Sequence, residues 1–540
     1  MALVLRNGSA FDGERHRPGH GVVVEGARIV ALAPDDGLPR GAGDTEVDLA
    51  GGVVAPGFVD AHVHAVQGGL ERVRCDLSEL PVSRDAYLAA IREYADAHPD
   101  RPWILGGGWG MAAFPGGTPT AADLDGVVPD RPVFLPNRDH HGAWVNSRAL
   151  ELAGLDAGSP DPADGRLERD ADGRPTGTLH EGAMDLVVRI APSRDDEEYY
   201  RGFLAGQTHL HSLGVTGWQD AILGDYGGID DPSDTYLRAA VSGDLTASVV
   251  GALWWDRDRG AEQIPDLVRR RETYTHGRLR AGSVKVMQDG VAENFTAALG
   301  APYLDRCGHA TDNRGHSFVD GEALREYVVA LAAEGFQVHV HAIGDRGVRE
   351  ALDAFERARG IGGDLRHHIA HLQVVDPVDV PRFAELDVTA NMQALWACLD
   401  EQMIELTLPF LGEERGRWQY PFGSLHRSGA RLAAGSDWPV SSPDPWAALH
   451  VAVNRTAYGE EGPGGEEPFL PEQALDLATA WSAATAGSAR VCHRDRAGRL
   501  AAGHEADLVV LDRDPFAGPA AEIGSTRVLG TWVAGRQVHG

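Results

Sequence analysis

Eight short apolar runs recur along the middle of the chain, with helix-like sequence between them, and this alternation constrains the fold more than any other feature. The runs are Gly57 to His64, Val215 to Gln219, Ala247 to Trp254, Ser283 to Met287, Gln337 to His341, His367 to Leu372, Val388 to Gln393 and Arg431 to Asp437. Segments such as Glu322 to Glu334 and Arg346 to Arg359 are rich in Ala, Leu, Glu and Arg, which favour helix. Alternation of this kind implies parallel strands joined by crossover helices. Eight such strands would close into an α/β fold, a (β/α)8 TIM-like barrel, here over residues 57–494.

Both ends of the chain read differently. Val22 to Val24 and Arg28 to Leu32 are apolar runs around a Glu25-Gly26 turn, and Val53-Val54 starts another run that Pro56-Gly57 stops. Near the other end, Ala506 to Leu511 is strand-like, as is Thr526 to Leu529 with Thr531 to Val533. Residues 1–56 and 495–540 are therefore expected to pair into one small β domain. One interval also breaks the barrel rhythm. Ala65 to Gly214 is about 150 residues long, too long for a loop without structure of its own. It holds helix-like Arg84 to Ala97, the glycine run Leu105 to Gly110 around Trp109, and a polar stretch from Asp161 to Gly177. Residues 71–195 are expected to form an inserted subdomain over the barrel mouth.

Charge narrows the partners. The chain has 49 basic and 80 acidic residues, a net charge of −31. Nucleic acid and anionic membrane surfaces both need a basic face, so neither is an expected partner. Only four cysteines are present, with no C-x-x-C, and the first residues lack a signal-peptide pattern. The expectation is a cytoplasmic enzyme acting on a small molecule; a homodimer is compatible with it.

The sharpest chemical signal is Asp60-Ala61-His62-Val63-His64 at the end of the first apolar run. Residues i and i+2 of a strand share a face, so both imidazoles would project together at the C-terminal end, where barrel enzymes build their sites. Imidazole is a common ligand for zinc. Other run ends repeat the theme: His339 and His341, then His371, then Asp437. Lys285 is unusual in another way, an ammonium inside the apolar run Val284 to Met287. Trp109, His140, His141, Gln393 and Trp396 are candidate substrate contacts, with Trp109 expected on a lid after its glycine run.

These residues carry a resemblance. Pro56 to His64, Pro119 to Asp125, Val284-Lys285-Val286, His341 to Arg346, Gly435 to Val440 and Ala506 to Leu511 together resemble the amidohydrolase superfamily, specifically its YtcJ-like, or amidohydrolase 3, family. The resemblance spans nearly the whole chain. It implies a metal-bearing barrel beside a composite β-sandwich made from both termini. It implies that His62 and His64 bind one divalent metal, and His341 and His371 a second. Lys285, as a CO2-derived carbamate, would bridge them, and Asp437 would contact metal and act as general base. Zinc is the expected ion, as one or two per chain. Two departures stand out: Ala370 occupies the position where the family usually has Glu, and Met287 to Glu293 departs from the family's usual F-x-D-G-S-x-G.

The implied chemistry is metal-assisted hydrolysis of a non-peptide C–N bond, with a linear N-acyl or N-formyl amine as the leading substrate class. Metal lowers the pKa of water and polarises the carbonyl. A cyclic amidase or a deaminase would use nearly the same ligands. A non-catalytic protein on this fold would lack stoichiometric metal.

Overall fold

The computed structural model describes residues 2–38, 41, 43–78, 80–162, 164–192, 195–226, 229–459 and 467–540. Its centre is one eight-stranded, all-parallel sheet. The barrel strands, in chain order, are β1 (Phe58–Val63), β2 (Val215–Leu223), β3 (Ser248–Trp254), β4 (Leu279–Met287), β5 (Gln337–Ala342), β6 (His368–His371), β7 (Thr389–Met392) and β8 (Leu432–Ala434). Each pairs with its sequence neighbour, from β8 through β1. All eight overlap the runs read from the sequence. The strands are buried almost throughout, because helices such as Gly321–Ala333 and Asp345–Arg357 cover the outside. Beyond the strands, the seam between the two ends of the sheet is drawn together by backbone. The Asp437 N–H donates to the His62 carbonyl at 2.7 Å, and the His64 N–H donates to the Trp438 carbonyl at 2.8 Å. These bonds make the sheet a nearly closed barrel, and they lie at the level of the candidate ligands.

Strands from both termini share one sheet. Leu508–Leu511 pairs antiparallel with Val53–Pro56, with Leu508 opposite Pro56 and Leu511 opposite Val53. That six-stranded sheet also takes in Ser9–Phe11, His16–Pro18, Val528–Val533 and Arg536–His539. A separate four-stranded sheet is built from Leu3–Arg6, His20–Glu25, Arg28–Pro34 and Thr45–Asp48.

The long interval after β1 has its own sheet of six strands, from Cys75–Asp76 to Pro175–Glu181, and a core of Leu77, Tyr87, Ile91, Phe114 and Trp144. The wider limits 71–195 take in residues 79, 163 and 193–194, which lie outside the described residues, and residue 163 also falls within the polar Asp161 to Gly177 stretch. Helices Ala65–Val73 and Asp196–Ser212 form the two stems of this insert and pack closely. A Cβ on Gly69 would collide with the Gly202 carbonyl, so the crossing requires glycine there. Among the described residues, no helix is long and apolar enough to cross a membrane.

Candidate active site

The C-terminal ends of the barrel strands open into a pocket enclosing about 540 Å³ of space, mouth included. His62, His64, Lys285, His341, His371 and Asp437 all line it. His62 Nε2 lies 3.0 Å from Asp437 Oδ1, and His64 Nε2 lies 3.1 Å from the same oxygen. The ligating atoms of these three residues all fall within 4.8 Å of one another. Four donors on a tetrahedral zinc ion, each at about 2.0–2.1 Å, sit roughly 3.3 Å apart, so this spacing suits one ion.

Each group is held from behind. Asp60 is buried, and its Oδ1 accepts from the His62 N–H and the Ser436 N–H, both at 3.0 Å. It thereby ties β1 to the turn that carries Asp437. His339 lies two residues below His341 on β5, and its Nε2 is 2.9 Å from His62 Nδ1. That contact turns His62 Nε2 toward the pocket, the partner on one ring nitrogen setting the role of the other. Burial, with the nearby Lys285 charge, pushes His62 down to about 3, so it is a neutral ring. Burial alone would raise the Asp437 carboxyl, but the surrounding imidazoles, His62 first, hold it well below the usual carboxylate range.

His371 reaches the pocket by an irregularity. Strand alternation along β6 would point Ala370 inward and His371 outward. His371 instead has φ 79°, in the left-handed region. Its imidazole turns into the mouth, with Nδ1 3.7 Å from Asp437 Oδ2. Both ring nitrogens are buried and, among the described residues, have no hydrogen-bond partner. Such orphaned nitrogens are costly unless something coordinates them. The ring is braced by Trp396, stacked on it at 5.4 Å and 3°, and the His371 N–H donates to Gln393 Oε1 at 2.6 Å. These contacts steady His371 beside Ala370. His341 stands beside it, with ring centroids 4.3 Å apart.

Lys285 is 3% exposed, and among the described residues its ammonium makes no hydrogen bond or ion pair. Burial pushes its ammonium down to about 8, against the pull of Asp437 and Asp220. Met287 and Val291, from the segment that departs from the family pattern, also line the pocket.

The remaining candidates divide. His140, His141 and Trp396 line the pocket. Gln393 is 1% exposed and spends its amide on the His371 N–H and on Asn391, so it supports the pocket from outside. Trp109 corrects the expectation of a lid. It is 1% exposed, packs edge-on against Phe114 and Trp144, and donates from Nε1 to the Leu135 carbonyl at 2.8 Å. A large apolar ring with a satisfied N–H belongs in a core, and this one fills the insert's. Several groups escaped the sequence reading. Glu71 and Glu181 are identified only by their partners, His140 Nε2 at 3.1 Å from Glu71 Oε1 and His141 Nδ1 at 3.0 Å from Glu181 Oε2, and the bracing role of Asp60 shows only in its two hydrogen bonds. A further group, Asp305, Cys307 and His309, is exposed on a loop, where the Asp305 carboxylate accepts from the two other backbone N–H groups.

Known proteins match nearly the whole chain. Residues 45–539 match the Amidohydrolase family. YtcJ of Bacillus subtilis (strain 168) is 30% identical over 96% of this chain and 97% of its own. The N-substituted formamide deformylase of Arthrobacter pascens is 27% identical, covering 95% of this chain and 94% of its own. Among solved structures, an uncharacterized metal-dependent hydrolase from Pyrococcus furiosus superposes with a TM-score of 0.70 at 27% identity, over 95% of this chain and 100% of that one.

Proposed function

Since the chain belongs to the amidohydrolase family and is a metal-dependent hydrolase of C–N bonds other than peptide bonds, we propose that its substrate is a linear amide, an N-acyl or N-formyl amine. The similarity to a deformylase of N-substituted formamides supports that class. So does the pocket wall, where Ile222, Trp254, Val291 and Trp396 offer an apolar lining for an N-substituent. The two terminal sheets form one composite β-sandwich in this reading, supported by a shared core that includes Leu5, Val22, Val54, Leu508 and Trp532.

His62, His64 and Asp437 would hold one divalent ion, with zinc the expected identity. His341 and His371, with Lys285 as a carbamate, would hold a second. When bound, such an ion polarises the carbonyl and acidifies water. The Asp437 carboxylate then takes a proton as water adds to the carbonyl carbon and returns it to the nitrogen as the C–N bond breaks. The products are a carboxylic acid and an amine. His140, His141 and Trp396 contact the substrate.

The observation that carries this reading is the orphaned His371 ring, 3.7 Å from an Asp437 carboxylate already shared by His62 and His64. The test is metal analysis of the dialysed protein, followed by hydrolysis assays on N-formyl amines, N-acetyl amines, cyclic amides and aminopurines with zinc present. Turnover of the linear amides with at least one ion per chain is the expected result. Turnover of only cyclic amides or aminopurines would replace the substrate class, and a metal-free, inactive protein would overturn the reading. Bicarbonate-dependent reconstitution would support the Lys285 carbamate, and full activity with an unmodified amine would exclude it.

A further inference from the structure

The barrel supplies the candidate ligands, yet part of the pocket wall belongs to the insert. His140 and His141 sit at the tip between strands Val133–Pro136 and Gly142–Val145. His141 is fixed more heavily than packing requires. Its Nδ1 lies 3.0 and 3.1 Å from the two Glu181 oxygens. Its carbonyl accepts from the Glu181 N–H at 3.0 Å and from Asn294 Nδ2 at 3.1 Å. Its own N–H donates to Asp139 Oδ1 at 3.0 Å. The Glu181 carboxylate is steadied in turn by the Thr296 hydroxyl at 3.0 Å. Both His141 and Glu181 are buried, at 6% and 8% exposure.

Two features set this pair apart from a structural ion pair. His140 and Glu181 both adopt left-handed backbone, at φ 60° and φ 51°, which costs energy for side chains of this kind. A buried ion pair is seldom more stable than an apolar filling of the same space. The pair therefore adds little that packing could not supply, while it leaves His141 Nε2 without a hydrogen-bond partner among the described residues, on a ring that lines the pocket. The His141 and His341 rings are 5.9 Å apart, so this nitrogen belongs to the same small space as the barrel ligands.

We propose that His141, positioned by Glu181, is a catalytic residue that donates a hydrogen bond from Nε2 to the carbonyl oxygen of the substrate as that oxygen gains negative charge. The inference rests on the pocket being an amide hydrolase. His141 keeps its proton throughout, and the proton transfers stay with Asp437. Glu181 is a positioning residue. With both Glu181 oxygens within 3.1 Å of Nδ1, the carboxylate favours the ring that carries a proton on each nitrogen, which leaves the Nε2–H to donate. Donors preorganised for a developing oxyanion act with little reorganisation.

The test compares metal-loaded, full-length wild type with His141→Ala, His141→Gln and Glu181→Gln. His141→Ala is expected to lower kcat by about 10²–10³-fold on the best amide, with KM and metal content nearly unchanged. His141→Gln, whose amide N–H still donates, should recover at least roughly tenfold of that loss, and Glu181→Gln should fall between wild type and His141→Ala. A kcat for His141→Ala within about threefold of wild type, or equal damage in the Ala and Gln variants, overturns the proposal. Acetate titration of the same proteins separates the two readings, because it presents the product's oxygen without needing turnover. If no amide is hydrolysed, the functional reading fails. The donor then stands if acetate binds roughly tenfold more weakly to His141→Ala and recovers in His141→Gln. It falls if wild type and His141→Ala bind acetate equally, or if wild type does not bind it.

Discussion

The two walls of the pocket use the same side chain in opposite states. On the barrel wall, His62 is driven down to about 3 by burial and by Lys285, His341 lies well below the usual range for the same causes, and His371 does so by burial and its neighbours His341 and His62. On the insert wall, His141 is equally buried, yet Glu181 lifts it to about 9. Burial penalises charge on both sides, and the partner decides the outcome. A neutral imidazole offers a lone pair, as a metal ligand must, whereas a charged one offers only N–H donors. Groups whose environments push them apart in this way mark separate chemical roles in one site. The construction differs as well. The barrel groups stand on neighbouring parallel strands, while the insert groups depend on a hairpin tip held by side-chain hydrogen bonds.

Variants can break one wall and spare the other. The largest effect is expected from Asp437→Asn, which should lower kcat by about 10³-fold or more while metal stays bound, as read by steady-state kinetics and elemental analysis. A rate near wild type would remove Asp437 as general base. Next, His62→Ala should weaken metal binding by at least about 100-fold, measured by chelator competition, without shifting the insert's stability. Trp109→Ala attacks the other wall. It should destabilise the insert by roughly 3–5 kcal/mol and raise its hydrogen exchange, with metal retained on the barrel. Loss of metal in that variant would show that the two walls are not independent. The smallest effect is expected from Gln393→Leu. It strands the buried His371 N–H, at about 1–3 kcal/mol, and should loosen metal binding by His371 more than by His62.

Much of the barrel was legible because strands buried on both faces are written as apolar runs, and all eight overlap observed strands. His62 and His64 were legible because a period of two is a local rule. Trp109 was misread for an equally local reason: a glycine run suggests a mobile lid, and nothing nearby in sequence announces the core of Tyr87, Phe114 and Trp144 that receives it. His371 was named from its strand end, but the alternation of β6 would have pointed it away from the pocket.

The sequence by itself determined the alternating architecture, the strand-ended pair His62 and His64, and the candidates His341, His371, Asp437 and Lys285, because each follows from periodicity or from a short motif. Only the tertiary structure decided how these groups meet. The left-handed turn at His371, the Asp60 brace between β1 and the Asp437 turn, and the pairing of His141 with Glu181 across 40 residues all depend on backbone torsions and long-range packing. Neither leaves a periodic trace in a chain read one residue after another.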